Sequence, residues 1–199
     1  GGKPLFAYKA QGYWKDVGNP ESYRSVHKDA FLGRVKIPFP GEAVKAGSGT
    51  VWLAEGAKVL KGARISGTVA LGGGVSLPRG QYSDTIFGEG CRIAPGSRIE
   101  SSVIWSGVTI GGRCNLKNAV ICDKARLGDG VFIPEGAIIA SDCILGRRGV
   151  CGKGYFPLAG EKGRGGIGPY LQPDMGRQVE GKSFRGQCNL RPDQRRDEH

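Results

Sequence analysis

Histidine and methionine are almost missing from this 199-residue chain, which has two of the first and one of the second, and aromatic residues make up only 8%. Scarce histidine leaves little material for imidazole acid–base catalysis or a histidine-ligated metal, and Leu53 to Ile144 contains none. No two of the six cysteines form a CxxC pair or stand at zinc-ligand spacing. Cys91, Cys114, Cys122, Cys143, Cys151 and Cys188 therefore read as free thiols of a reducing cytoplasm. No apolar run approaches membrane-spanning length, and the opening GGKPLFAYKA has neither a signal-peptide core nor an initiator methionine. The expectations are a cytoplasmic location, no membrane partner, and a chain that begins inside a longer protein.

Glycine and positive charge are what the chain has in excess, with 36 glycines and a formal charge of +11. Aliphatic residues remain frequent through the middle, which excludes both collagen and a wholly disordered chain. The basic residues are spread along the sequence and gather toward its C-terminus, and no aromatics are interleaved with arginine. That pattern reads as a solvated basic surface, and no nucleic-acid partner is expected.

The middle of the chain repeats. From Leu53, aliphatic residues return every six positions at Val59, Ile65, Leu71 and Leu77, with Ala57, Ala63, Val69 and Val75 four after the rungs. A period of six fits neither the 3.6-residue helix nor an indefinitely alternating strand, but it fits a chain that turns a corner after every short strand. Three such sides close a triangular coil, and coils stack at about 4.8 Å with their aliphatic positions inward. After an irregular link at 78–84 the array resumes and shows a seventeen-residue coil. Ile93, Ile110 and Leu127 form one ladder, Ile99, Leu116 and Ile133 a second, and Ile104, Ile121 and Ile138 a third. Cys91, Cys114 and Cys122 fall on or beside inward rungs, where cysteine acts as a small hydrophobe. Gly72, Gly88, Gly111 and Gly128 directly follow rungs, and Pro78 and Pro134 take the same place elsewhere. These are expected corners, where special backbone angles or a pre-set φ help.

This pattern resembles the hexapeptide-repeat family, and the resemblance supplies the handedness: a left-handed parallel β-helix. Related β-helices serve acyltransferases and a class of carbonic anhydrases, but those need histidine in or between the coils, which this array lacks.

Ahead of the repeats, FAYKAQGYWKDVGNPESYRSVHKDAFLGRV begins with an alternating stretch that predicts a strand ending at the turn 16–19. A helix should follow, with Asn19 as its cap, Pro20 in its first turn, Tyr23, Val26 and Ala30 on one face, and Gly33 at its end. On spacing alone, Asp16 before a Gly-Asn-Pro turn could be an Asx-turn or capping carboxylate. The segment GYWKDVGNPESY, however, is similar to the closing W-x-D-[VI]-G-[TNQ]-P signature of the sugar-phosphate nucleotidyltransferases, a family that also carries hexapeptide β-helices. That resemblance implies a reaction between a sugar 1-phosphate and a nucleoside triphosphate, with Asp16 as a catalytic carboxylate and a ligand of Mg²⁺. It places Gly18 and Asn19 near the sugar phosphate and has Trp14 shape the pocket. The stretch HKDAFLGRVKI suggests mannose-1-phosphate guanylyltransferases first and glucose-1-phosphate adenylyltransferases next. The family's Gly-rich phosphate loop, its lysine and its other metal-binding aspartate would lie upstream of Gly1, so the chain alone should be inactive.

The resulting fold class is mainly β: a left-handed β-helix preceded by a strand-helix remnant of an α/β nucleotidyltransferase domain. Its expected parts are that remnant at 1–34, a linker at 35–50, the β-helix at 51–145 and a tail at 146–199. The tail is poor in aliphatics and reads as disordered or as the product of a shifted reading frame. Exposed end coils favour a homo-oligomer. A non-catalytic regulatory or assembly subunit is the alternative function.

Overall fold

The computed structural model describes residue 9, residues 11–39 and 41–149, and the backbone of Lys162–Gly163. The tail expected to be disordered lies almost wholly outside the described residues. One helix, α1 (Pro20–Phe31), precedes a left-handed parallel β-helix of about six turns.

The β-helix opens with a hairpin, β1 (Glu42–Ala46) antiparallel to β2 (Gly49–Leu53), within and just beyond the stretch expected as a linker. Every later pairing is parallel and runs from one turn to the next. The first side stacks Lys58–Val59, Ser76–Leu77, Arg92–Ile93, Thr109–Ile110, Arg126–Leu127, Ile144–Leu145 and Lys162–Gly163. The second side stacks Ile65, Tyr82, Ile99, Leu116 and Ile133 in register. The third places Leu53, Leu71, Phe87, Ile104, Ile121 and Ile139 one above another.

Leu77, Ile99, Leu116, Ile121 and Ile133 are fully buried, so the core is a column of aliphatic rungs that each turn both covers and is covered by. Buried hydroxyls tie the turns together: Ser102 Oγ donates to Glu100 O at 2.7 Å and accepts from Ala119 N at 3.1 Å. Cys91, Cys114 and Cys143 are buried. Burial pushes the Cys91 thiol up to about 11, which suits packing and not nucleophilic chemistry.

Three expectations are corrected. The last rung of the third ladder is Ile139, which pairs with Ile121, while Ile138 pairs with Val120. Between the second and third sides, Asp84, Ser101 and Asn118 each turn the corner alone at φ of 45°, 46° and 50°. The next corner uses Pro134, Glu135 and Gly136, so that turn gains a residue and the rung moves by one.

Secondly, Gly72, Gly88, Gly111 and Gly128 are not among the positive-φ residues. They are needed for close approach: a Cβ on each would lie 2.5–2.7 Å from backbone atoms of the next turn. Thirdly, residues 11–18 form no strand; the rest of that expected strand lies mainly outside the described residues. Among the described residues no strand pairs with this segment, and its Tyr13 and Lys15 side chains are tied to α1. Among the described residues no helix is long and apolar enough to cross a membrane.

Candidate functional site

The helix that carries the candidate turn is fixed at both ends. Asn19 caps α1 through a reciprocal box: its Oδ1 accepts from Ser22 N at 2.8 Å, and its own N donates to Ser22 Oγ at 3.3 Å. Pro20 occupies the first turn, and Gly33, at φ 68°, follows the C-terminus. Aromatic contacts hold α1 on the third side of the β-helix. Trp105 Nε1 donates to Tyr23 Oη at 3.1 Å, with the two rings 6.4 Å apart, and Phe31 stacks on Phe39, which meets Trp52 at 5.3 Å.

The segment ahead of the cap is anchored through Asp29, at the third-from-last position of α1, whose carboxylate faces the incoming chain. Tyr13 Oη and Lys15 Nζ both donate to Asp29 Oδ2 at 2.8 Å, and Arg34 Nη1 donates to Oδ1 at 3.1 Å. Asp29 is only 8% exposed. The Lys15 ammonium above all, then the Tyr13 hydroxyl, and then Arg34 hold its carboxyl down to about 2. Sequence reasoning missed this residue. Its only signal was an aspartate three positions after Val26 on the helix, which nothing distinguished from a surface residue.

Tyr13 and Lys15 turn to Asp29, whereas Trp14 and Asp16 stay exposed. Trp14 is 85% exposed. Asp16 is exposed, and a Cβ on Gly18 would lie 3.6 Å from its Oδ1, so the glycine lies directly beside the carboxylate. The structure thus brings Asp16 and Gly18 together and leaves Trp14 free of packing. Asn19 has its side-chain oxygen committed to the cap. Asp16 itself caps nothing: among the described residues no group hydrogen-bonds its carboxylate. Its oxygens are hard donors of the kind Mg²⁺ takes, but the described residues bring no three His, Cys, Asp or Glu together. They do not make a metal centre by themselves.

Two depressions flank α1. An open cleft of about 300 Å³ runs from Val17 and Gly18 past Tyr23 to Trp105, Val120 and Cys122. A groove of about 500 Å³ on the other side has Arg24 and Lys28 facing Asp84, Ser101, Asn118 and Glu135. Arg24 Nη1 is sealed from solvent there with no hydrogen-bond partner among the described residues, and the mixture of signs gives the groove no charge preference.

The Asp29 anchor yields a prediction. An unfolded aspartate titrates near about 3.9. A carboxyl held lower than that contributes stability above pH 4 and loses it as the pH falls toward about 2. At neutral pH, Asp29→Ala should therefore speed tryptic cleavage after Lys15 several-fold, read by mass spectrometry. The difference in acid-unfolding behaviour between parent and variant should vanish toward about pH 2.

Comparison with known proteins adds the relatives. The model of the EIF2B subunit epsilon LbH domain, a left-handed β-helix, matches residues 48–150. Glucose-1-phosphate adenylyltransferase of Bacillus cytotoxicus is 29% identical over 146 residues, covering 71% of this chain and 35% of that protein. Mannose-1-phosphate guanylyltransferase of Mycobacterium tuberculosis is 32% identical over 163 residues, covering 67% of this chain and 40% of that protein. The chain thus spans between about a third and two fifths of the length of these curated relatives. A hexapeptide transferase family protein from Anaplasma phagocytophilum shares the fold, with a TM-score of 0.51 at 24% identity over 57% of this chain and 72% of that one.

Proposed function

The chain belongs to the family of the EIF2B epsilon-subunit left-handed β-helix domain, and from that premise we propose that it is the C-terminal part of a sugar-phosphate nucleotidyltransferase. One observation carries this reading. The similarity to the two nucleotidyltransferases extends over more of the chain than the matched β-helix, 71% and 67% against residues 48–150.

In this reading the parent protein joins a sugar 1-phosphate to a nucleoside triphosphate and releases pyrophosphate. A sugar phosphate oxygen attacks the α-phosphate, so two anions must be brought together and their charge balanced. Residues 1–34 end the catalytic domain, and Asp16 supplies one oxygen ligand to a Mg²⁺ whose other ligands come from outside the described residues. Gly18 lets the sugar phosphate approach the backbone, Asn19 offers its side-chain nitrogen, and Trp14 borders the pocket. The β-helix packs against the catalytic domain, and its end coils join subunits into a homo-oligomer in the cytoplasm. Mannose 1-phosphate with GTP is the favoured substrate pair on the resemblance of HKDAFLGRVKI, with glucose 1-phosphate and ATP next; the two relatives, covering 67% and 71% of the chain, support the class common to both.

The test is a pyrophosphate-release assay on the purified full-length protein, with mannose 1-phosphate and GTP set beside glucose 1-phosphate and ATP. Turnover of neither pair, nor of other sugar 1-phosphates, would sink the catalytic reading. The 199-residue chain alone should show no turnover.

A second reading is a regulatory or assembly subunit, favoured by the family match, which is to a domain named for a subunit. It predicts no pyrophosphate release and stable co-purification with a catalytic partner.

A further inference from the structure

Charge on the β-helix is sorted by corner. At the corner leading from the third side to the first, successive turns hydrogen-bond in a stack: Gly74 N donates to Glu55 O, Gly90 N to Gly73 O, Gly107 N to Glu89 O, Lys124 N to Ser106 O and Asp142 N to Asp123 O. Reading up that stack, Glu55, Gly73, Glu89, Ser106 and Asp123 alternate, with a carboxylate on every second turn. Lys124 is a basic exception on this edge, and Asp142 adds another carboxylate.

The corner leading from the first side to the second has the same period with the opposite sign. Arg79, Arg113 and Arg148 are exposed and stand on every second turn, with Gly62, Gly96 and Gly130 on the turns between. Each glycine seats an arginine stem: a Cβ on Gly62 would lie 3.1 Å from Arg79 Cγ, on Gly96 3.2 Å from Arg113 Cγ, and on Gly130 3.5 Å from Arg148 Cγ. Asp129 is the acidic exception here, and Arg147 lies 3.7 Å from it, so the edge remains basic. Among the described residues, Arg79, Arg113, Arg148, Glu55, Glu89 and Asp123 take part in no ion pair.

The two edges are therefore combs with the same two-turn period, about 9.6 Å from the strand spacing. Arginines occupy the turns that the carboxylates skip. A second copy displaced by one turn, about 4.8 Å, would bring every arginine opposite a carboxylate. No aromatic residue stands on the basic corner to stack a nucleobase, which disfavours single-stranded nucleic acid. The partner that carries the matching period on the page is this chain itself.

We propose that the arginine edge of one copy docks against the carboxylate edge of a second, with the two β-helices side by side. This contact is lateral, unlike association through the end coils, and it stands whether or not the parent protein is a nucleotidyltransferase. It joins unlike edges, so it is heterologous and each copy keeps one edge open for the next until a ring closes. Exposed ion pairs are individually weak and screened by salt, so the contact must act as an array.

Sedimentation equilibrium on the full chain tests it. Association is expected at about 50 mM salt, with the dissociation constant rising roughly tenfold or more at about 500 mM. The double variant Arg79→Glu/Arg113→Glu should weaken association by a similar factor, and so should Glu55→Arg/Glu89→Arg. Mixing the two variants should restore it, as should combining all four changes in one chain. Circular dichroism confirms folding; if a reversal fails to fold, the Arg→Gln and Glu→Gln pairs replace it and should also weaken association. A monomer at low salt overturns the proposal. So does association that ignores both pairs of changes, a mixture no stronger than its parts, or association that disappears on nuclease treatment.

Discussion

Replacing Gly111 by alanine is expected to cost about 2–4 kcal/mol of stability, whereas the same change at Gly74 should cost only about 1 kcal/mol. The two glycines are needed for different reasons. Gly74 adopts φ 72° and its Cβ would meet nothing within 4 Å, so alanine there suffers only the strain of the left-handed region. Gly111 has no such conformation. A Cβ on it would lie 2.5 Å from Gly128 C and 2.6 Å from Asp129 N, both backbone atoms of the next turn. Those atoms belong to the ladder, where Gly128 N in turn donates to Leu145 O at 2.8 Å. They cannot give without opening the stack, and in a solenoid a displaced turn disturbs the neighbours on both sides. Thermal or urea unfolding of both variants measures the contrast. Equal losses would mean that the stack relaxes locally and that close approach is not what selects glycine.

That contrast also shows where the sequence was readable. The inward rungs were legible because burial repeats on a fixed period: Ile99, Leu116 and Ile133 stand seventeen apart and are all fully buried. The glycines following the rungs were visible as corners, but a sequence does not distinguish a glycine chosen for its φ from one chosen for its missing Cβ. The extra residue that moves the rung from Ile138 to Ile139 was hidden for a related reason. Both are isoleucines, so a slip of one position leaves an apolar residue at the expected place. At the candidate site, the capped helix was legible from Asn19, Pro20 and Gly33, which act within a few residues of chain. The Asp29 anchor was not, because it joins Tyr13, Lys15 and Arg34 through contacts that only the folded backbone brings together. The charged edges were equally hidden: the signs sort by corner, and the corners are defined only when the coils are stacked.

Asp16→Asn is expected to lower turnover by the full-length protein by about a hundredfold or more while leaving the fold intact. The size follows from the proposed role. Asparagine keeps the shape of the side chain and removes the negative charge, so a cation held there against two phosphate anions would lose a hard ligand. The fold should be indifferent. Asp16 is exposed, caps nothing, and accepts no hydrogen bond from the described residues, while the helix start is held by Asn19 and Ser22. The metal concentration needed for half-maximal activity should rise together with the fall in rate. Asp29→Asn is the companion measurement. It loosens the segment that aims Asp16 but leaves the carboxylate in place, so its effect should be smaller and should leave the metal requirement near that of the parent. A large loss in Asp29→Asn with none in Asp16→Asn would mean that this turn serves only as a brace between α1 and the chain before it.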